Sequence, residues 1–263
     1  MRQREPEGPP PPPVVQRLRL RYAKRGRLRF GSTRDFQRAL ERALRRAQVP
    51  VAFSAGFHPH PRISYANAAP TGAASEAEYV EIALSQRCDP LAVQQALDTA
   101  LPHGLDIVQV VEVRPGDPAL ADRLEASEWT LAFRGIPDEA LAGAVASFVD
   151  SDRIEVTRVL KAGPRTFDAR GPVLAIEVEN ADTMDRGPGR PAGCAILRMV
   201  VRHTTPAVRP DDVLTALRAV AGLEPPSPPV VTRLAQGPLR DGAVGVADPL
   251  AAPQHSVGSA AGD

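Results

Sequence analysis

Two kinds of hydrophobic spacing alternate along this chain, and they recur twice in the same order. Alternation of period two marks a strand with one buried face, and apolar residues three and four apart mark a helix with one buried stripe. In residues 16–22, Leu18, Leu20 and Tyr22 alternate with Arg17, Arg19 and Arg21, which predicts a strand with a core face and a basic face. A turn at Lys24, Arg25 and Gly26 leads into a further alternation of Leu28 and Phe30. Ser32 followed by Asp35 fits a helix start in which the two residues cap each other's backbone N–H groups. That helix carries Phe36, Ala39, Leu40, Ala43, Leu44 and Ala47 on one stripe, with Arg34, Arg38, Arg42, Arg45 and Arg46 largely away from it, and Pro50 stops it. Strands are expected at 51–54, 62–66, 79–84 and 105–113, with a second helix from Asp89 or Pro90 carrying Leu91, Val93, Leu97 and Leu101.

The second run places strands at 128–134, 153–161, 173–179, 196–203 and 230–234, with helices at 137–149 and 210–221. Asp211 and Asp212 suit the positive end of the last helix. The order predicts an α+β protein of two ferredoxin-like (split βαβ) domains in tandem, at 14–114 and 127–235, whose sheets are able to lie side by side. Residues 115–126, with Pro115, Gly116, Asp117 and Pro118, read as the linker. The five prolines from Pro9 to Pro13 make 1–13 a solvated arm, and the unpatterned Gly, Ala, Pro and Asp of 236–263 read as a disordered tail. The Gly-, Pro- and Arg-rich segment 182–193 reads as a flexible hairpin loop without the lysine of a phosphate loop.

No stretch approaches the roughly 18 apolar residues of a membrane helix, and no secretory leader is evident, so a cytoplasmic protein without membrane contact is expected. Two isolated cysteines, Cys88 and Cys194, fit a reducing compartment and leave no cysteine framework for a disulfide scaffold, a zinc site or an iron–sulfur cluster. The net charge of +1 conceals an asymmetry: residues 14–62 hold 13 basic and 2 acidic side chains. All but Lys24 and Lys161 of the basic residues are arginines. Codon bias accounts for the choice of arginine, but not for its concentration in one fifth of the chain, which suits an acidic partner.

The run Gly26-Arg27-Leu28-Arg29-Phe30, the arginine-rich helix after Asp35, and the motifs Gly56-Phe57, Pro59-His60-Pro61-Arg62-Ile63-Ser64, Gly72 and Ser75-Glu76-Ala77-Glu78-Tyr79 together resemble the radical-SAM-associated family of unassigned function. The likeness covers most of the chain and is most specific in its first hundred residues. In that family the domain stands behind a cobalamin-binding radical SAM enzyme or forms a separate chain, so the resemblance implies a radical SAM enzyme as partner. Two departures stand out: Ser32-Thr33-Arg34-Asp35 where the family has Ser-His-Leu-Asp, and His58 where it has Asn.

Radical SAM chemistry needs three cysteines around its cluster, so this chain is not itself such an enzyme, and no cofactor is expected in it. His58 and His60, two apart in a loop stiffened by Pro59 and Pro61, are weak metal candidates that lack a second ligand pair. A catalytic reading rests on His60 and Arg62 with Asp35 or Glu78; the bland reading has the loop packing Phe57 into the core. The stronger candidate is a basic surface for RNA phosphates built from Arg17, Arg19, Arg21, Lys24, Arg25, Arg27, Arg29, Arg38, Arg42 and Arg45. Tyr22, Phe30, Phe53 and Tyr65 are expected to face the core. The leading expectation is a non-catalytic module that binds RNA or presents substrate to a radical SAM enzyme in RNA modification or processing. The alternatives are a stand-alone enzyme using the His58/His60/Arg62 loop and a protein-docking adaptor.

Overall fold

The computed structural model describes residues 11–160, 163–179, 194–240, 242 and 244–251. The arm before residue 11, the 182–193 loop and the tail from residue 252 lie outside the described residues. In the first half β1 (Gln16–Lys24), α1 (Thr33–Arg46), β2 (Ile63–Ala66), β3 (Ala74–Leu84), α2 (Pro90–Ala100) and β4 (Leu105–Glu112) follow one another. The strands lie in the antiparallel order β4-β1-β3-β2. The second half comprises β5 (Ala126–Arg134), α3 (Asp138–Val149), a hairpin of β6 (Glu155–Leu160) and β7 (Gly163–Asp168), β8 (Val173–Val178), β9 (Cys194–Arg202), α4 (Pro210–Ala221) and β10 (Val230–Gly237). Its sheet runs β10-β5-β9-β8, so with the hairpin set aside each half is ferredoxin-like.

The alternating apolar residues place the helices. Leu18, Leu20 and Tyr22 of β1 share a buried cluster with Phe36, Leu40 and Leu44 of α1, and Tyr22 stacks on Phe36 with ring centroids 3.8 Å apart. Ser32 Oγ accepts from the Asp35 N–H while Asp35 Oδ2 accepts from the Ser32 N–H, the reciprocal cap read from the sequence. In the second half Trp129, Leu131 and Phe133 of β5 join Leu141 and Phe148 of α3 and Val213 and Leu217 of α4.

The halves fuse at β3, whose two ends have different neighbours on the same side. Tyr79–Ile82 pair with β2, whereas Ala74 and Ser75 pair in parallel with Thr232 and Arg233 of β10. One eight-stranded sheet results. At this short joint Arg233 donates from Nη2 to Glu78, and their side chains are 3% and 2% exposed. Glu78 also accepts from the Ala69 N–H at 3.0 Å, and the Arg233 guanidinium lies 5.2 Å from the centre of the Trp129 ring. Gln236 adds a bond from Nε2 to the Ala77 carbonyl at 2.7 Å.

The face away from the helices is also covered. Leu120 and Leu124 of the expected linker pack with Leu250 on Ala77 and Tyr79 of β3, and Val246 packs with Ala126 and Val200. The tail expected from residue 236 is therefore corrected. Gln236 and Gly237 complete β10, and the chain returns across the sheet as far as Ala251, held by Ala247 N–H to the Pro238 carbonyl and Val246 N–H to Glu128 at 2.8 Å each. Isolated apolar residues among Gly, Pro and Asp carry no period, so their burial leaves no pattern to read. The approach is close: a Cβ on Gly237 would stand 2.0 Å from the Ala247 carbonyl oxygen. Two smaller expectations also change. Residues Gly26–Phe30 form a 3-10 turn in place of continued alternation, and 51–54 contributes only single bridges, Val51 to Leu84 and Phe53 to Pro61.

Two outcomes follow for stability. Burial pushes the Glu78 carboxyl up, but the adjacent Arg233 charge and the hydrogen bonds it accepts outweigh this and hold it below the usual carboxylate range. Glu78 thus stabilises the fold above its unfolded pKa, and this contribution is lost as pH falls through the lower folded value. Glu78→Gln at neutral pH leaves Arg233 buried without its anion and should lower the unfolding free energy by about 3–5 kcal/mol in urea titration; a loss below about 1 kcal/mol would show the pair to be dispensable. Gly237→Ala should displace the returning segment, so limited proteolysis after residue 237 should accelerate and Tm should fall. An unchanged cleavage rate would mean that the segment does not pack here.

Candidate nucleic-acid interface

The basic residues of the first half separate into two groups according to what surrounds them. Those of β1 have partners within the fold, because the alternation that buries Leu18, Leu20 and Tyr22 turns Arg17, Arg19 and Arg21 to the face crossed by the linker. Arg19 is 2% exposed; its Nε donates to Glu81 at 3.0 Å and its Nη2 to the Pro118 carbonyl. Arg17 lies 3.6 Å from the same carboxylate, and Arg21 donates from Nε to the Glu76 carbonyl at 2.8 Å. Lys24 is buried, its Nζ 3.5 and 3.4 Å from the Ala69 and Pro70 carbonyls, and burial lowers its pKa. Arg25 is clamped between Glu76 and Asp106. Of the strand and turn residues expected to meet RNA, Arg19 and Lys24 are thus buried, Arg21 is half-buried, and Arg17 and Arg25 are exposed but paired with carboxylates.

The helix arginines are different. Arg34, Arg38, Arg42 and Arg45 recur at spacings of four and three along α1, opposite the Phe36–Leu40–Leu44 stripe, and all are exposed. Among the described residues none of them forms a salt bridge; Arg45 reaches only the carbonyl of Glu41, at 3.3 Å. Arg27 is exposed on the 3-10 turn, where Arg29 lies 4.7 Å from the ring of the exposed Phe30.

Beside the C-terminal end of α1 lies an open groove of about 460 Å³. Leu44 and Arg45 form one wall, and Phe53, Pro59, His60 and Pro61 the other. The second wall is a loop closed on itself, with the Ser54 N–H donating to the His60 carbonyl at 2.8 Å and the His60 N–H to Ser54 Oγ at 3.0 Å. Phe53 and Phe57 are 45% and 62% exposed. Both were expected inside, as was Phe30; Tyr22 alone of the aromatic residues read as core strand positions is fully buried, with Tyr65 half-buried. The signal that sets Phe53 and Phe57 apart is their position among Gly56, Pro59 and Pro61, where the chain turns too often to alternate.

The catalytic constellation does not assemble. His60 is in the groove and Arg62 is exposed, but Asp35 caps the opposite end of α1 and Glu78 is sealed against Arg233. His58 is exposed, and among the described residues no group of three or more His, Cys, Asp or Glu is placed to hold a metal ion.

A second concavity, of about 610 Å³, lies between the halves. His203 stands in it with Nε2 2.7 Å from Ser127 Oγ and Nδ1 2.6 Å from the Leu124 carbonyl. A carbonyl only accepts, so Nδ1 carries a proton, while the Ser127 hydroxyl is able either to donate to Nε2 or to accept from it. Asn67 Nδ2 lies 3.0 Å from the same Nδ1 and so brings the first half beside the ring, but with the Nδ1 proton given to Leu124 this is a contact and not a hydrogen bond. Burial pushes the His203 pKa below its usual 6.5, and the Arg233 charge adds to this against the Leu124 hydrogen bond.

The chain belongs to the family described as "Uncharacterized protein conserved in bacteria (DUF2344)", whose model matches residues 17–210. No curated protein matches it. Among solved structures, the first two RRM domains of yeast poly(U) binding protein (Pub1) match at 13% identity over 82% of this chain and 98% of that one, with a TM-score of 0.22. Among the described residues no helix is long and apolar enough to cross a membrane.

The lowered pKa of His203 sets a pH dependence. The unfolded chain protonates this residue near pH 6.5 and the folded one only below that, so stability should fall as pH drops through about 6.5 and level off once the folded form also binds the proton. His203→Gln should flatten that slope in denaturation measured between pH 7.5 and 5; an unchanged slope would assign it to other groups.

Proposed function

We propose that this chain, as a member of that uncharacterised bacterial family, is a non-catalytic module that binds single-stranded RNA along α1 and works in the cytoplasm with a radical SAM enzyme in RNA modification or processing. The observation that carries the RNA reading is the row of exposed arginines on α1, free of salt bridges among the described residues, that ends at a groove with exposed aromatic residues. Residues four apart on a helix rise by about 6 Å, a step on the scale of an extended nucleic-acid backbone, so Arg34, Arg38 and Arg42 are spaced to meet successive phosphates. At the end of the row Phe53 and His60 offer flat surfaces on which an unpaired base stacks beside the Arg45 guanidinium. The cations supply affinity without sequence preference, and the groove holds the strand to one track.

The helix side is favoured because the opposite face of the sheet is covered. RNA-binding sheets of this topology stack bases on their open face; here the linker and the returning segment occupy it. The radical SAM partnership is supported by the motif resemblance alone. A stand-alone enzyme is disfavoured by the separation of Asp35 and Glu78 from His60.

The triple variant Arg38→Gln, Arg42→Gln, Arg45→Gln retains helix propensity. In fluorescence anisotropy its affinity for single-stranded RNA should fall, and the slope of log affinity against log salt should flatten by roughly 2, at about 0.7 per lost phosphate contact. Phe53→Ala should weaken binding by about 1–3 kcal/mol with the slope unchanged. No binding by the wild type at low salt would move the proposal to a protein-docking adaptor, and unchanged binding by the folded triple variant would take α1 out of the interface.

A further inference from the structure

One charge in the groove beside α1 has the wrong sign for a phosphate. Glu41 lines it, half-buried and one helical turn before Arg45. Asp35, the other acid of α1, is held in the cap by Ser32, but Glu41 has no such role: among the described residues it forms no salt bridge and its carboxylate accepts no hydrogen bond. Arg45 Nε donates to the Glu41 backbone carbonyl, at 3.3 Å, and leaves the carboxylate alone. The Tyr65 hydroxyl of β2 leaves it alone too: it is buried, the Glu41 charge adds to burial in raising its pKa, and yet it has no hydrogen-bond partner. A carboxylate repels the backbone of any strand that the α1 arginines attract. Beside such a row it weakens binding unless the ligand brings hydrogen-bond donors to it.

Resting on the RNA reading above, we infer that this groove takes one guanine base of the bound strand, with Glu41 as the residue that selects it. Guanine alone among the RNA bases sets two donors side by side, N1–H and N2–H, and these match the two oxygens of a carboxylate. Adenine and cytosine place a ring-nitrogen lone pair next to their amino group, and uracil flanks its N3–H with two carbonyls. Each therefore makes at most one bond and turns a lone pair toward the carboxylate. Phe53, on the facing wall, supplies an exposed ring on which the base stacks, and Pro59 and Pro61 stiffen that wall. A volume of about 460 Å³ admits a purine. Arg45, one turn further along α1, stays with the phosphate, so affinity and selectivity lie on successive turns of one helix.

Full-length protein is titrated in fluorescence anisotropy with labelled oligouridylates that carry one central guanosine, inosine, adenosine or cytidine, or none. The guanosine strand should bind about tenfold tighter than the adenosine, cytidine and all-uridine strands, the discrimination of one bidentate pair. Inosine, which lacks the N2 amino group, should fall between. Glu41→Gln keeps the size and helix propensity of the side chain but replaces one acceptor by a donor. It should bind all strands within about twofold of one another. Its affinity for the all-uridine strand should stay the same or rise, because the repulsive charge is gone; a merely structural Glu41 would weaken every strand alike. Free GMP lacks the further phosphates that α1 holds and should compete at least about tenfold more weakly than the guanosine strand. Competition by GMP as strong as the strand's would take the site away from RNA and overturn the inference. Equal binding of all strands by the wild type would leave the α1 track standing and overturn the base assignment, as would a guanosine preference retained in folded Glu41→Gln. Failure of every strand to bind at low salt would overturn the RNA reading and the base assignment with it.

Discussion

The ion pair between Glu78 and Arg233 is the constraint around which the two halves are arranged. The parallel contact between β3 and β10 spans only two register positions, too few to hold two sheets edge to edge by backbone bonds alone. What reinforces it is a buried cluster in which each polar group has more than one partner: Glu78 takes Arg233 and the Ala69 N–H, and Arg233 takes Glu78, Ser75 and the face of Trp129. A pair this deep gives little net stability compared with a well-packed apolar joint. Its value lies in register, since sliding β10 by one residue would turn Arg233 to the other face and leave two charges buried and unmatched.

That joint determines which surfaces remain available. Once the sheets are fused, the linker and the segment returning from Gly237 to Ala251 lie across one face, and all four helices lie on the other. The same residue type then has two fates. Arg19 and Arg25 face carboxylates of β3 and the β4 start and become anchors, whereas Arg34, Arg38 and Arg42 project from α1 and form no salt bridge among the described residues. Of the charge asymmetry that spans 14–62 in the sequence, the part carried by α1 becomes, in space, one helix face beside an aromatic loop.

Much of this was legible from periodicity. The helix at Pro210–Ala221 and the Ser32–Asp35 cap are where the spacing puts them, because local preference and burial agree there. Of the β6–β7 hairpin only the first strand is legible, as 153–161, since Gly163, Pro164 and Arg165 break the apolar alternation that would mark its partner. The joint between the halves has no local signature, as it links residues far apart in the chain. Only one side leaves a trace: Arg233 is the one charge in β10, whereas Glu78 is one of three glutamates in β3, with Glu76 and Glu81, and nothing local sets it apart. The exposed phenylalanines were misplaced for the opposite reason. Phe53 and Phe57 look like core residues by type, and only the surrounding Gly56, Pro59 and Pro61 show that the chain there has no buried side to offer.

The central claim is that RNA meets this protein on the helix side, at α1 and the 53–60 loop, and not on the sheet face. The most direct measurement is ultraviolet crosslinking of the full-length protein to single-stranded RNA, with the crosslinked residues identified by mass spectrometry. The account predicts adducts concentrated at Phe53, Phe57 and His60 and along α1, with Tyr79 beneath the linker unmodified. Adducts at Tyr79 and its neighbours on β1 and β3, with none in the loop or helix, would contradict it.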